Sequence, residues 1–489
     1  MTEFLTIHWF AAALLALYTV LLIVHAKIGF RRKSDMSAFL TGSRNMSGVV
    51  IGISFVATFA SSNSYLGLSG KGYEYGLPWL LMAAMLVLFA FLSWKLVAPG
   101  LRRFTAQTNA VTIPEYFAFR FGSNIPRVAA GLIIFVSSIF YLIAIFKGSA
   151  HLFQIFLGLP YSTSIGIMFV VVLFYTSLGG FVSVVRTDVW QGGLMIVGSL
   201  LLFFFITKAS GGIGSIFELK NLPDKEWMFE WSGGIPFAVL FGIAFAGAMK
   251  LLIDPRQISR FYGLKDDRGI RIGIFWAVIG LLLIQFSLFP IGIYAHHLIP
   301  NIEDTDMIVP TLVQNVDIFP ILVADFLLVA ILSAAMSSMD SVLLVSGSTL
   351  TRDVIGLLKP LSEKQSVLLT RLAIILSAII AAMFALRPFG GIVEITTLSG
   401  SLYAACFGPP ILLGLHWRKG SMFAVMATFC TGLLVLTLWR GLGYNATLHE
   451  VVPALILSTI VYVVSAWRQP AVEIQSVTTF FNKSELNRL

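Results

Sequence analysis

The sequence predicts an all-α integral membrane protein with about thirteen transmembrane helices, and three observations carry that prediction. Hydrophobic residues make up 57% of the 489-residue chain and charged residues 12%, against roughly 25% charged in soluble domains. Apolar runs of about twenty residues, the length a bilayer core requires, recur along the whole chain. Basic residues collect in alternate loops between those runs. This composition excludes an ordinary soluble enzyme and a disordered chain. Mean hydropathy is +0.88, and 41 phenylalanines suit a surface facing lipid.

The expected spans are 7–26, 47–68, 77–97, 128–149, 162–178, 190–207, 235–252, 272–295, 319–348, 366–386, 392–415, 422–439 and 451–467. The first lacks a basic stretch before it and a small-residue cleavage site after it, so it reads as a retained span. Lys27, Arg31, Arg32, Lys33 and Arg44 follow it. With Arg102, Arg103, Arg120, Arg127, Lys250, Arg256, Arg260, Arg268, Arg271, Arg352, Arg418 and Lys419 they fall on one side of the membrane. Lys71, Lys147, Lys208, Lys220, Lys225, Arg387 and Arg440 fall on the other. The positive-inside rule then puts the N-terminus outside and the C-terminus in the cytoplasm. Topology therefore accounts for the net charge of +9 without nucleic acid. The tail after Arg468 is polar and expected to be loosely ordered.

Two spans break the rules of a lipid-facing helix. The second carries Thr58 and then Ser61-Ser62-Asn63-Ser64. Such a run suits a helix broken at membrane depth, where carbonyls and hydroxyls meet a ligand; packing through small residues is the plainer alternative. The ninth carries Ser337, Ser338, Asp340 and Ser341. Helical spacing puts Ser337, Asp340 and Ser341 on one face, with Ala334 one turn back. A carboxylate inside a membrane helix is expensive and marks function by default, unless it lies near a solvated end. Hydroxyls, carbonyls and one carboxylate are the ligands a hard cation such as sodium takes. Asp188 either pairs with a nearby arginine or turns toward the ninth span as a cation ligand. Lys147, late in span four, either snorkels to the interface or faces a cavity and attracts a carboxylate. Cys406 and Cys430 build no metal site. There is no phosphate loop and no nucleophile–base pair, so a transporter is expected rather than an enzyme.

Four motifs together carry a family resemblance: Thr58 to Gly72; Tyr175-Thr-Ser-Leu-Gly-Gly180 with Thr187-Asp188 and Gln191; Ala334-Ala-Met-Ser-Ser338 with Asp340-Ser341; and Gly408-Pro-Pro410 with Gly414-Leu415. The chain resembles the sodium/solute symporter family, which includes proline, pantothenate, monocarboxylate, sialic acid and galactose symporters. The resemblance runs from Phe39 through the last span. It implies a leucine-transporter-like core of two inverted five-helix repeats, at about 47–207 and 235–415 within a core of 47–416. Residues 1–46 would add a first helix and loop, 417–467 two C-terminal helices and 468–489 a cytoplasmic tail.

The resemblance also implies sites. A sodium ion would be held by the carbonyls of Ala57, Ala60 and Ala334 and the hydroxyls of Ser337 and Ser338. A second cation site would use Asp188, Ser337, Asp340 and Ser341, where Asp340 replaces the serine of the sialic acid transporter. The solute would meet Ser61, Ser62, Asn63, Ser64 and Tyr141, with Lys147 favouring an anion. The galactose symporters carry Glu and Gln at the positions of Asn63 and Ser64, which argues against a sugar. The expected function is sodium-coupled uptake of a small organic solute across the plasma (inner) membrane, the solute being a carboxylate such as pantothenate, a monocarboxylate or proline. A proton-coupled carrier using Asp340 and a non-transporting sensor or scaffold are the competitors. The resemblance leaves open a small membrane partner subunit.

Overall fold

The computed structural model describes residues 8–31, 44–299, 301–469 and 475–486, with side chains left out at 172–182 among others. The motif Tyr175 to Gly180 therefore lies outside the described side chains, and the start of the family resemblance at Phe39 outside the described residues. Every described element is helical apart from an isolated bridge between Met46 and Leu264.

In chain order the long elements are α1 (Trp9–Arg31), α2 (Gly48–Phe59), α3 (Asn63–Tyr75), α4 (Leu77–Thr108), α5 (Ile125–Leu157), α6 (Tyr161–Ala209) and α7 (Phe237–Gly263). They continue with α8 (Asp267–Leu298), α9 (Ile321–Leu358), α10 (Glu363–Ala385), α11 (Ile392–His416), α12 (Met422–Gly441), α13 (Val451–Arg468) and α14 (Gln475–Leu486). Their starts are chemically marked. Ser47, Asp266, Ser362 and Ser421 each accept a backbone N–H of the first turn, a cap worth about 1 kcal/mol.

Among the described residues, ten helices are long and apolar enough to cross a membrane, and eleven if α2 and α3 count as one bent span. The count of thirteen is thus met in part. The other two expected spans fall on shorter apolar segments, Trp9–Leu22 and Tyr161–Val171. Spans five and six are joined without a helical break in the 49-residue α6. The tail also differs from expectation. Val477, Phe480 and Phe481 of α14 are buried at helical spacing, and Phe480 packs edge-on against Phe104, ring centres 5.3 Å apart. An apolar stripe on a short amphipathic helix suffices to dock it.

The packing is reciprocal. α2 lies on α8, and α7 lies on α4; α2 also packs on α6, and α7 on α11; α5 packs on α11, and α9 on α6. Each contact thus has a counterpart in which the two halves exchange roles. The α2–α8 crossing is set by two Gly-x-x-x-Gly stretches, Gly48/Gly52 and Gly269/Gly273. A Cβ on Gly48 would lie 2.1 Å from the Gly269 carbonyl oxygen. Without a hydrophobic drive in lipid, such close backbone approach supplies the dispersion contacts that hold helices together.

Gly48→Val should therefore lower thermal stability in detergent, by about 1–3 kcal/mol as for other overpacked cores. Gly193→Ala, where a Cβ meets nothing within 4 Å, should leave it unchanged. Equal melting of both variants would contradict the close α2–α8 contact.

Candidate functional site at the helix breaks

α2 ends because Ala60 leaves the helix for an extended conformation, φ −64° and ψ 125°. The chain restarts in α3, bent by 63° from α2, with a wide π-turn over Asn63–Leu68. The broken helix expected from Ser61 to Ser64 is thus present. The bend frees carbonyls at the end of α2, and α9 crosses there. Ser337 Oγ lies 3.0 Å from the Ala57 carbonyl oxygen. Ser338 Oγ lies 3.3 Å from the Thr58 carbonyl and 3.2 Å from that of Ala60. Four of the five residues expected at the first sodium site are brought together, all fully buried. Ala334 is buried one turn earlier on α9. The oxygen set is uncharged and suits a hard cation.

The second expected set is also assembled, with an addition. Asp188 accepts hydrogen bonds from Ser337 Oγ and Ser54 Oγ, both at 2.6 Å. Arg260 reaches in from α7. Its Nη2 is 3.3 Å from Asp188 Oδ2 and donates to Ser341 Oγ at 2.5 Å, while its Nε donates to Thr58 Oγ1 at 2.9 Å. Asp340 is buried on the same face of α9, within electrostatic reach of Arg260. The arginine partner weighed for Asp188 is therefore real, and it comes from span seven rather than from neighbouring Arg186.

Ser61, Ser62, Asn63 and Ser64 are all buried at the break. Tyr141 Oη donates to Ser61 Oγ at 3.2 Å. Among the described residues Ser62 Oγ and Asn63 Oδ1 have no hydrogen-bond partner, so both are free to bond a ligand or water. Lys147 is not part of this cluster. It lies six residues beyond Tyr141, about 9 Å along the helix. Its Nζ is 2.6 Å from Asp306 Oδ2, and Asp306 also accepts the Ile392 N–H at 3.0 Å. A buried carboxylate already neutralises the ammonium, so Lys147 offers no open charge to the break.

That end of the bundle is further tied by Lys71, paired at 2.6 Å with both Glu74 and Glu394. At the opposite end Glu115 pairs with Arg127 at 2.9 Å and Arg352 at 2.5 Å, and Arg127 also holds Asp353 at 2.7 Å. Between this network and the breaks runs a cleft lined by Thr112, Arg256, Ser259, Arg260, Ser341 and Thr349.

A group of charges on α7 escapes the hydropathy pattern. Lys250 is expected at the end of span seven and Arg256 and Arg260 in the loop after it, on one side of the membrane; the structure buries all three, at 4%, 2% and 2% exposure. α7 is itself broken at Asp254, φ −63° and ψ 124°, nearly the conformation of Ala60. Asp254 caps the Arg256 N–H at 2.9 Å and holds its guanidinium through both carboxylate oxygens. That guanidinium stacks on the Tyr141 ring, 3.7 Å from its centre. The available signal was the pattern Lys250-x3-Asp254-x-Arg256-x3-Arg260. Ending the span at 252 turned an intramembrane charge cluster into a loop.

The comparisons with known proteins bear on the fold and the family. The sodium:solute symporter family model matches residues 39–432. The osmoregulated proline transporter of Bacillus subtilis is 28% identical, over 91% of this chain and 92% of its own. The sodium/pantothenate symporter of Haemophilus influenzae is also 28% identical, over 89% and 91%. A solved sodium-coupled sialic acid symporter, in a substrate-bound outward-open state, superposes with a TM-score of 0.80 at 21% identity, covering 95% of this chain and 99% of its own. At that identity the likeness speaks for the fold, which is that of the leucine-transporter-like sodium symporters. With the model matching most of its length, the chain belongs to the sodium:solute symporter family.

Proposed function

We propose that this protein couples the downhill entry of sodium to the uptake of a small organic carboxylate, of the pantothenate or monocarboxylate kind or proline. The observation that carries the reading is the convergence of the Ala57 and Ala60 carbonyls with the Ser337 and Ser338 hydroxyls at the 63° bend. Sodium there replaces hydrogen bonds between the two helices with bonds through the ion. It thereby fixes the angle between α2 and α3, and with it the positions of Ser61 to Ser64. Relatives named for sodium-coupled proline and pantothenate transport support the coupling.

In this reading 47–207 and 235–415 are the inverted repeats, supported by the reciprocal packing of their helices. The network at Lys71 and Lys147 closes the outer end, and that at Glu115 and Asp353 closes the cytoplasmic end. The N-terminus is outside and the membrane is the plasma membrane, on the charge distribution of the loops. A potential of about 100 mV adds about 2.3 kcal/mol per net charge moved, roughly fiftyfold in accumulation. Arg260 supplies the second cation position with a tethered positive charge, so transport uses one sodium per solute.

Three measurements test this. Proteoliposomes with an inward sodium gradient should accumulate one of pantothenate, proline, pyruvate, lactate or acetate, and matched potassium controls should not. Uptake that ignores sodium and rises at acid pH would instead favour proton coupling through Asp340. Ser338→Ala removes one ligand, a loss of about 1–2 kcal/mol for such a contact, and should raise half-saturating sodium about tenfold. An unaltered sodium requirement would remove Ser338 from the site. Initial rates should rise with the first power of sodium concentration, and a second-power dependence would overturn the role given to Arg260.

A further inference from the structure

The charge cluster on α7 defines the solute more narrowly. Lys250 lies 13 residues into α7, about 20 Å along the helix in a bilayer core of about 30 Å. It is 4% exposed. Among the described residues its ammonium has no hydrogen-bond acceptor and no carboxylate partner; its recorded neighbour is the Tyr141 ring, 5.4 Å from ring centre to Nζ. The neighbouring charges are spoken for. Arg256 and Asp254 cancel one another through the paired contact already described, and Arg256 stacks on the same Tyr141 ring. Lys250 is therefore a buried amine with no anionic partner among the described residues. Holding it as an ammonium is costly unless an anion arrives to balance that one charge.

The surroundings are built to receive an anion. Gly400 of α11 packs on Lys250, where a Cβ would lie 2.8 Å from Lys250 Cε, so the lysine stem is held in place. Ser401, next to Gly400 on the same helix, keeps a buried hydroxyl without a partner among the described residues. The cleft from the opposite end reaches Arg256.

We propose that Lys250 is the carboxylate anchor of the solute site, with Tyr141 as its wall, and that the solute is a monocarboxylate without an ammonium group. One net charge matches one carboxylate, and a dicarboxylate would leave a negative charge unpaired. An amino acid such as proline would bring a second cation beside Lys250, and Asp254, the carboxylate at hand, is already engaged by Arg256. Pantothenate and simple hydroxy or keto acids fit; proline does not. This rests on the symport reading above, which the sodium arms below test separately.

The experiment uses the purified full-length protein in detergent with sodium chloride. Thermal stabilisation is titrated with pantothenate, lactate, pyruvate, acetate, lactamide, succinate and L-proline. At least one monocarboxylate should stabilise the protein, and lactamide, succinate and proline should bind at least tenfold more weakly than it does. Lys250→Met should weaken that monocarboxylate at least tenfold while leaving stabilisation by sodium alone unchanged, and Lys250→Arg should recover part of the loss. Binding by Lys250→Met equal to wild type, preference for proline or lactamide, or no response to any monocarboxylate while sodium still stabilises would each overturn the proposal. Monocarboxylate binding through Lys250 that ignores sodium would sink the coupling reading and leave this one standing.

Discussion

A helix interrupted inside a bilayer leaves backbone groups that water cannot reach, and each must find a partner in the protein or in a ligand. The architecture turns on how two such interruptions are satisfied. At Asp254 the chain satisfies itself: the side chain caps the Arg256 N–H and neutralises its guanidinium. At Ala60 the answer comes from another helix, through the hydroxyls of Ser337 and Ser338. The two breaks share nearly the same backbone angles and differ in what fills them. The self-satisfied break is closed by an internal ion pair. The break satisfied by hydroxyls can exchange its partners for an ion at little cost, because a hydroxyl is also a cation ligand.

The close contacts elsewhere hold these breaks in register. α2 is placed by backbone contact with α8 through Gly48 and Gly269, and α7 is placed against α4 and α11. Each of these helices is therefore held by neighbours beside the point where its backbone leaves the helical conformation, at Ala60 and at Asp254. Buried ion pairs at the two ends of the bundle add little net stability, since desolvation offsets most of their attraction. Their use is selective. Lys71 with Glu394 ties α3 to the start of α11, and Lys147 with Asp306 ties α5 to the segment between α8 and α9; such pairs can separate and re-form when the helices they join move.

Much of this was legible in the sequence. The apolar runs gave most helix limits within a few residues, because a lipid-facing helix cannot hide its composition. Ser61 to Ser64 announced a break because four small polar residues concentrated in one turn suit open carbonyls better than a continuous helix, although small-residue packing would also place them there. What stayed hidden were matters of partnership. Lys147 looks like an anion attractor until Asp306, 159 residues away in sequence, is seen at 2.6 Å. Arg256 and Arg260 look like loop charges until the helix is seen to run past them to Gly263. Hydropathy alone ends a span at its first charges, and so it hides the charges that a transporter buries on purpose. The amphipathic stripe of α14 was missed for a related reason: Val477, Phe480 and Phe481 are three residues in a polar tail, too few to register without Phe104 opposite them.

The same partnerships explain how ion and solute can depend on one another. Ala60, whose carbonyl belongs to the candidate sodium site, is followed directly by Ser61, which accepts the Tyr141 hydroxyl at 3.2 Å. Tyr141 in turn lies against Arg256 and Lys250. One peptide unit and one aromatic ring therefore separate an ion's oxygen ligands from a buried positive charge. Coupling requires that each ligand favour the same arrangement of the protein, and the gain is then equal in both directions. An ion that fixes the Ala60 carbonyl also fixes Ser61 and the hydrogen bond that orients Tyr141. An anion drawn to Lys250 packs on that ring and favours the same orientation.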